Sequence, residues 1–518
     1  MKEKSQGIVK GALFLTVAGL LVKVIGMIYK IPLTNRLGDD GMGYFNAAYT
    51  VYTLFFVLSS SGLPTALSLS VAKDLATKGE AEARTRYHVT ARFCALLGLV
   101  LSLILFLFAK PLAWLLGSIK AYLAIVSVAP ALFFVTAASA MRGYYQGRGN
   151  MLPTALSQLC EALGKLVFGL LLISLALSYG FSKEKVAAYA ILGLSFSTFL
   201  TYVLLLFFCR SHKSEAHGVS SHQKRALLYD TLKSAFPITA SALAASLAAS
   251  LDLALLMRSL QSIGYTPDAA NAAWGNYSSL VLPLFHMPQV LLTPIAYAVL
   301  PALRAALAKG ENEKGESLVQ SALTVTALLS ALSALGLSLF SRDALMLLYT
   351  DEAAIAHAYP HLALLAIAIF PFGVMTVSAS LLQAYGRLWF PMLSLAAGAI
   401  LKIFVTLFGV SFFGEAVAPI GTLVAYTLSG AINTAALLGL MKRNILSKIT
   451  LKPLVIAALS VGASLLFKVF LSSRGMEGRL STLVSIAMAG GIAIALIFLI
   501  GAIKKEDLVA LGIHTNRE

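Results

Sequence analysis

Residues 186–209 read VAAYAILGLSFSTFLTYVLLLFFC, an uninterrupted run that contains no charged side chain. A helix needs about 20 consecutive apolar residues to cross the hydrocarbon core of a bilayer, so this run is long enough to span one. Runs of the same kind recur along the whole chain, and the charged residues cluster in the short segments between them. The pattern predicts an all-α, polytopic membrane protein.

Composition points the same way. Apolar residues make up 58% of the chain and charged residues 12%, whereas a soluble domain carries about 25% charged residues. The net charge of +17 comes mostly from short loops, so orientation in the membrane explains it better than a nucleic-acid partner does. A cationic cavity that attracts an anionic cargo is a second explanation, and the two can coexist.

The apolar runs predict about 14 membrane-spanning helices. They are placed at residues 8–31, 44–70, 88–110, 120–141, 154–178, 186–209, 232–258, 272–301, 317–340, 356–384, 389–411, 417–441, 452–471 and 481–503. Lysine and arginine are two- to threefold richer in the loops on the side of the termini, which predicts that both termini are cytoplasmic. The expected location is the bacterial plasma membrane.

The two halves of the chain echo each other. Gln146 precedes Lys165 by 19 residues, and Gln383 precedes Lys402 by the same distance. Parallel repeats of this kind place the binding site of a transporter at the interface between the halves, near the midplane of the bilayer. Spans 1–6 and 7–12 are therefore predicted to be two copies of one unit.

A second echo, Lys-Gly-Glu at 78–80 and again at 309–311, supports the same division. We predict an N-terminal lobe at residues 1–215, a C-terminal lobe at 216–445, and two extra helices with a cytoplasmic tail at 446–518.

The first span carries charged residues, which are costly inside a membrane and usually functional. Lys23 and Lys30 are seven residues apart and lie on one helical face. They form either a cationic stripe that faces a cavity or a pair of side chains that reach the interface. Arg36 lies beyond the end of the span and completes this candidate substrate-binding set.

Other polar residues inside spans are candidates for coupling or gating. Glu161 and Lys165 are spaced to form an ion pair, which is either structural or part of a proton-coupled gate. Asp252 is a carboxylate that either binds a coupling ion or is paired. Lys402 is the repeat partner of Lys165. His286 lies in a proline-broken span of the kind that lines transport cavities, although a structural histidine is the alternative.

Several motifs are absent from the sequence. There is no phosphate-binding loop of ATPases, no His-Glu-x-x-His zinc motif and no Gly-x-Ser-x-Gly element. The three cysteines lie in apolar runs without the spacing of a metal site or disulfide framework. The sequence therefore favours a protein that is not an enzyme and that binds no metal or other cofactor.

One stretch resembles a family signature. Residues 141–161, MRGYYQGRGNMLPTALSQLCE, closely resemble that of the polysaccharide biosynthesis / stage V sporulation protein B family, within the multidrug/oligosaccharidyl-lipid/polysaccharide (MOP) exporter superfamily. Residues 19–43 and 251–275 are similar to the first and seventh spans of such proteins. The motif residues are Gly143, Gln146, Gly147, Pro153 and Gln158.

This resemblance implies a fold of two six-helix lobes plus two extra helices. It also implies flipping of undecaprenyl-pyrophosphate-linked saccharides, with the lipid II flippases of peptidoglycan synthesis (MurJ-like proteins) as the nearest functional group. Lys23 and Lys30 match the family's basic first-span positions. Residues 51–55 and 276–279 depart from the pattern, because other lipid II flippases carry basic residues there. Membrane lipids and cell-wall synthesis proteins are the further partners that the resemblance suggests.

Without an ATPase motif, the membrane potential or a gradient of H+ or Na+ must drive the transport cycle. Three alternatives stay open. One is export of another lipid-linked polysaccharide precursor, and another is cation-coupled multidrug export within the same superfamily. The third is a membrane scaffold or a lipid-using glycosyltransferase.

Overall fold

The computed structural model describes most of the chain. The described residues are 2–209, 220–289, 292, 295, 299, 303, 304, 306, 307, 309–387, 389–441, 449–476, 478–499 and 501. Within them, only the backbone is described for residues 2–17, 20, 23, 237, 241, 244, 245, 247–249 and 498.

The described residues form helices joined by short turns, and no strand occurs among them, which confirms the all-α prediction. In the first part of the chain the helices are α1 (Lys2–Ser60), α2 (Leu63–Thr77), α3 (Glu80–Leu107), α4 (Ala109–Leu115), α5 (Tyr122–Gly147), α6 (Leu152–Ser178), α7 (Lys183–Cys209), α8 (Ser221–Ser262) and α9 (Pro267–Asn276). After a π-helical turn at Tyr277–Val281 follow α10 (Leu282–His286), α11 (Asn312–Leu339), α12 (Ser341–Leu348), α13 (Glu352–Ile367), α14 (Ile369–Ala384), α15 (Phe390–Phe413), α16 (Val417–Leu438), α17 (Leu451–Ser473) and α18 (Arg479–Leu499).

Ten helical stretches in the described part are long and apolar enough to cross a membrane. Two of them, Val24–Thr77 and Phe390–Leu438, each cover parts of two predicted spans. The predicted seventh span is present as part of α8, and part of the predicted eighth span, 272–301, lies outside the described residues. The protein is a multi-pass helical membrane protein.

The first two predicted spans differ from the structure in their ends. Instead of a loop between them, α1 continues through Pro32 and kinks at Gly38, whose φ of 66° is a backbone conformation that only glycine adopts readily. The predicted second span is then broken at Gly62, and α2 starts with Pro64 in its first turn. Proline fits a first turn because its missing N–H has no partner there anyway.

The chain forms two compact units, Met1–Gly275 and Asn276–Glu518. In the first unit α8 packs against α1, α2 and α3. The lobe boundaries predicted from the repeat, 215/216 and 445/446, stay a prediction.

The long helices that begin at the two Lys-Gly-Glu stretches have the same length. Both α3 and α11 contain 28 residues. Each follows a glycine with positive φ, 91° at Gly79 and 73° at Gly310, and each is followed by a short helix, α4 or α12. In each half, then, a long helix is entered by a glycine turn and leads into a short one.

In the second unit, the π-helical turn interrupts the broken span predicted there. The hydroxyl of Tyr349 donates to the Ser279 carbonyl at 2.9 Å, and the Asn276 amide donates to the Ala354 carbonyl at 2.9 Å. The first bond holds the turn against the residue that follows α12, and the second holds Asn276, just before the turn, against α13.

Candidate functional site

A cavity of about 520 Å³ opens between α1, α5 and α6 of the first unit. Its polar lining consists of Asn46, Lys30, Arg142, Gln158, Glu161 and Lys165, and the rest is mainly apolar and aromatic. A largely apolar pocket of this size with a few convergent polar groups is typical of small-ligand sites.

The face of α1 that lines the cavity follows the helical period. Gly19, Val22, Gly26, Lys30 and Leu33 are three or four residues apart, so they lie on one side of the helix. A Cβ built at Gly19 or Gly26 would meet nothing within 4 Å, which shows that these glycines widen the cavity.

Three charged side chains from α5 and α6 form one ion-pair network in the cavity wall. Arg142 Nη2 lies 3.1 Å from Glu161 Oε2, and Lys165 Nζ lies 3.0 Å from Glu161 Oε1. The Arg142 Nε also donates to Ser157 Oγ at 2.9 Å. The side chains of Arg142, Glu161 and Lys165 are 13%, 16% and 27% exposed, so the network is accessible from the cavity without lying at the protein surface.

The cavity is net cationic. Lys30, Arg142 and Lys165 oppose the single carboxylate of Glu161 among the described lining residues. Water and salt screen charges only weakly in a site that is partly closed to water. The net positive charge of the lining therefore attracts an anion.

Four aromatic side chains follow one another along α1 beside the cavity. The rings of Phe45 and Tyr49 stack with centroids 6.2 Å apart, and those of Tyr52 and Phe56 stack at 5.8 Å. Phe45, Tyr49 and Phe56 line the cavity. These rings add an apolar surface to the cavity beside the charged network.

The family motif holds the charged wall in place. A Cβ at Gly143 would lie 2.7 Å from the Pro64 carbonyl oxygen, and one at Gly147 would lie 2.6 Å from that of Ser68. These two glycines therefore let α5 pack directly against the backbone of α2. Pro153 then starts α6 in its first turn.

The structure brings four of the predicted residues together. Lys30, Gln158, Glu161 and Lys165 line the same cavity, and the predicted Glu161–Lys165 ion pair is present. The side chain of Lys23 lies outside the described part, although its backbone position falls between the cavity-lining glycines of α1.

Four other predicted residues are not among the cavity-lining residues. Arg36 donates from Nη1 to Ser174 Oγ at 2.6 Å. Asp252 is half-buried on α8. Lys402, on α15, and His286, whose Nδ1 lies 3.0 Å from Gln289 Oε1, belong to the second unit. The substrate-binding role of Arg36 and the coupling or gating roles of Asp252, Lys402 and His286 stay predictions.

Arg142 is the member of the cavity's charged network that the sequence analysis did not single out. It lies five residues before the end of α5, where an arginine is usually taken to reach the interface. The signal that could have found it is its place in the 141–161 motif, 19 residues before a carboxylate on the next helix.

Two polar clusters fix α8 and α9 against the remainder of the first unit. Buried Arg86 binds both carboxylate oxygens of Asp74 and donates to Asp230 Oδ2 of α8 at 3.0 Å. Lys120 Nζ donates to Asp268 Oδ2 at 2.5 Å, and this bond holds the pKa of Asp268 below its usual value. In both clusters the charges are paired with one another and hold helices together.

Comparisons with known proteins agree with this architecture. The sequence model of the family described as "Polysaccharide biosynthesis protein" matches residues 8–306, and that of MatE matches residues 264–408. Stage V sporulation protein B of Bacillus subtilis is 24% identical over 355 residues, 67% of this chain and 68% of that protein. Lipid II flippase MurJ of Bacillus subtilis is 24% identical over 426 residues, which is 77% of this chain and 76% of that protein.

Two solved structures share the fold. One is lipid II flippase MurJ in an inward closed conformation, with a TM-score of 0.69 and 12% identity over 96% of this chain and all of the other. The second is an inward-facing multidrug resistance MATE family transporter of the MOP superfamily, with a TM-score of 0.66 and 14% identity over 82% of this chain and 97% of the other. With its fold, its motif and a family match over more than half its length, this chain belongs to the polysaccharide biosynthesis protein family and has the transporter fold of the MOP superfamily.

Proposed function

We propose that this chain flips an undecaprenyl-pyrophosphate-linked saccharide from the inner to the outer leaflet, with lipid II as the best candidate cargo. The observation that carries the proposal is the net cationic cavity formed by Lys30, Arg142 and Lys165 around Glu161. The similarity to the lipid II flippase MurJ of Bacillus subtilis supports the same cargo class.

The charge of a pyrophosphate is the main barrier to its passage through hydrocarbon, because burying an unpaired charge is very unfavourable. The guanidinium of Arg142 has the fork geometry that binds two phosphate oxygens at once, and the ammonium groups of Lys30 and Lys165 add point charges. An entering pyrophosphate competes with Glu161 for the donors of Arg142 and Lys165, which lie 3.1 and 3.0 Å from that carboxylate. Glu161 therefore holds the empty site together and lets the anion leave again.

The remainder of the cargo has its own neighbours. The ring faces of Phe45, Tyr49 and Phe56 offer apolar contact to the carbon–hydrogen faces of sugars. The prenyl tail need not enter the cavity, because it is stable in the hydrocarbon of the surrounding bilayer.

The cycle that we propose is alternating access without nucleotide hydrolysis or catalysis. A charge moved across 100 mV gains about 2.3 kcal/mol, so the membrane potential acting on the cavity cations can reset the carrier. Coupling to H+ or Na+ through Glu161 or Asp252 is the alternative, with Lys402 and His286 as gating residues. We place the protein in the bacterial plasma membrane with both termini cytoplasmic, beside cell-wall synthesis proteins.

A different lipid-linked polysaccharide precursor would use the same cavity, and the family description supports that alternative. The MatE match and the shared fold favour a cation-coupled multidrug exporter as another alternative. The net positive charge of the cavity speaks against a cationic drug, because like charges would meet there.

The test is functional replacement. In a bacterium depleted of its own lipid II flippase, this chain is expressed at a fixed membrane level and lipid II in the outer leaflet is measured. Rescue by the natural chain and by Arg92→Gln, but not by Lys30→Gln, supports the proposal. Arg92→Gln is the matched control, because Arg92 is exposed and its replacement removes one positive charge outside the cavity. Failure of the well-expressed natural chain rejects lipid II as cargo, and rescue by Lys30→Gln rejects this lysine as a binding residue.

The driving force is tested in the same cells. Dissipating the membrane potential should stop lipid II exposure, whereas removing the proton gradient alone should stop it only if a carboxylate is coupled to H+. Transport that persists after both are collapsed contradicts the mechanism.

A further inference from the structure

The first four turns of α8, residues 221–236, have one side that the first unit covers. Leu227, Thr231 and Ala235 recur every four residues along that side, and all three are buried. Ala235 belongs to the same hydrophobic cluster as Leu63 and Leu67 of α2. This side of the segment therefore faces the core of the first unit.

Hydrogen bonds from α3 hold the same turns in place. Arg86 Nη1 donates to the Leu227 carbonyl oxygen at 3.1 Å and to Thr231 Oγ1 at 3.1 Å. The same nitrogen lies 3.0 Å from Asp230 Oδ2, so the charge of this carboxylate is already paired. The segment is thus fixed on α2 and α3, and its opposite side is presented in a defined orientation.

That opposite side is basic and aromatic. At a spacing of three or four residues it carries five exposed side chains, those of His222, Arg225, Tyr229, Lys233 and Phe236. The exposed fraction of Tyr229 is 70% and that of Phe236 is 74%. Neither Arg225 nor Lys233 makes an ion pair with any residue that the structure describes. This basic-aromatic stripe therefore holds two uncompensated positive charges beside two uncovered rings.

The stripe lies where α8 enters the predicted seventh span. After Lys233 the next charged residue along the helix is Asp252, so an uncharged stretch begins directly beyond Phe236. At the level of the lipid head groups, aromatic rings are enriched and long basic side chains extend toward the phosphates. The position and the composition of the stripe both match that layer of a bilayer.

The charge of the stripe discriminates between possible occupants. A second copy of this chain in a twofold contact would bring the same face against itself, and its positive charges would repel each other. An uncharged lipid would contact the two rings and leave both cations without a counter-charge. An anionic phospholipid supplies phosphate to the cations and hydrocarbon to the rings.

From these features we propose that the basic-aromatic stripe of α8 binds anionic phospholipids of the membrane. Arg225 and Lys233 hold the phosphate groups, and Tyr229 and Phe236 lie against the glycerol and the upper acyl chains. The two cations are eight residues apart, about 12 Å along the helix, so they contact different head groups. This binding surface goes beyond the transport function and does not involve the first cavity.

The test places a fluorescent reporter in the stripe. The full chain with Tyr229→Trp is reconstituted into phosphatidylcholine vesicles that contain either brominated phosphatidylglycerol or brominated phosphatidylcholine. Brominated acyl chains quench tryptophan on close contact, and the natural chain gives the background of its own three tryptophans. Each cation near an anionic leaflet contributes about fivefold, so residue 229 should prefer phosphatidylglycerol about 25-fold.

Matched variants of the reporter locate the charges. Arg225→Gln and Lys233→Gln should each lower the preference to about fivefold, and the double variant should abolish it, because separate sites act additively. Lys224→Gln is the control and should change the preference less than twofold, since Lys224 lies on the side of the helix that carries Leu227 and Thr231. In about 1 M KCl, where charges are screened beyond about 3 Å, the preference should disappear while quenching by phosphatidylcholine remains.

Three results would overturn the proposal. One is equal quenching by the two lipids in the reporter with its natural charges, and another is an equal loss of preference in Lys224→Gln and Arg225→Gln. The third is no quenching by either lipid, which would mean that a protein covers the stripe. The vesicles contain no lipid-linked saccharide, so a failed lipid II rescue rejects the proposed cargo and leaves this lipid preference standing.

Discussion

The helix pair α5–α6 in the first unit and the pair α14–α15 in the second are built on the same plan with different chemistry. Aligning Gln146 with Gln383 also aligns Gly149 with Gly386, which turn the chain with φ values of 78° and 82°. In both pairs a buried serine follows in the second helix, Ser157 or Ser394, and then a lysine, Lys165 or Lys402.

The difference lies in what surrounds that lysine. In this alignment Arg142 corresponds to Ala379 and Glu161 to Gly398, so the second copy lacks the other two members of the charged network. A Cβ at Gly398 would lie 2.2 Å from Ser429 Oγ and 2.6 Å from the Ala425 carbonyl oxygen. One copy therefore uses the position for a charge that faces a cavity, and the other uses it for close packing between α15 and α16. We infer that anion binding belongs to the first copy.

Reversing a charge in the first copy should give the largest effect. Arg142→Glu places a second carboxylate beside Glu161 in a cavity that must receive an anion, so lipid II exposure should fall at least 100-fold. The reason is that one or two charge-assisted hydrogen bonds, about 1.5–3 kcal/mol each, are replaced by repulsion. Arg92→Glu, with the same change on the exposed face of α3, should retain transport. Comparable losses in both variants would mean that net charge, and not the cavity, matters.

The two repeat-related lysines sharpen the comparison. Lys165→Gln should weaken binding of the pyrophosphate lipid about tenfold, because it removes one donor worth about 1.4 kcal/mol or more. Lys402→Gln should change the dissociation constant of the pyrophosphate lipid less than twofold. It should instead change the turnover of transport, as expected of a gating residue. Equilibrium binding and transport rates of both variants decide the point, and equal losses of affinity would break the distinction between the copies.

Removing the carboxylate of the network should have a smaller effect of opposite sign. Glu161→Gln frees the donors of Arg142 and Lys165, so the pyrophosphate lipid should bind about five- to tenfold tighter and leave more slowly. The measurement is the dissociation rate of labelled lipid from the purified protein. Weaker binding would show that Glu161 contacts the cargo favourably and does not compete with it.

A substitution that disturbs packing in the second copy should lower the stability of the protein. It should have little effect on the transport rate per folded molecule. Gly398→Ala forces α15 away from α16 and should cost about 1–3 kcal/mol, seen as a lower melting temperature. Gly336→Ala on α11 is the control, because its Cβ would meet nothing within 4 Å and alanine favours a helix. A melting temperature unchanged by Gly398→Ala would show that the two helices separate easily.

The helices could be predicted from the sequence to within a few residues where an apolar run was bounded by polar residues. Predicted spans 154–178 and 417–441 are observed as Leu152–Ser178 and Val417–Leu438. The ends of the first two spans differed from the prediction, because residues 32–43 are mostly helical and the two helices meet at a kink at Gly38.

Part of the candidate site could also be predicted, because some of its contacts follow from spacing along a single helix. Local spacing along one helix predicted the Glu161–Lys165 pair and the common face of the first span. The contact between Arg142 and Glu161 joins two helices, so it depends on how α5 approaches α6 and α2, which Gly143 and Gly147 permit. No periodicity along a single helix contains that information.

The central claim is that the first cavity recognises the charge of the cargo's head group. The most direct measurement compares the binding of undecaprenyl pyrophosphate with that of uncharged undecaprenol, for the natural chain and for the double variant Lys30→Gln/Arg142→Gln. The natural chain should prefer the pyrophosphate at least tenfold, and the preference should fall to about threefold or less in the double variant, because the ligand charge has lost its partners. A preference that is the same in both proteins would contradict the account, since the head group would then be recognised elsewhere.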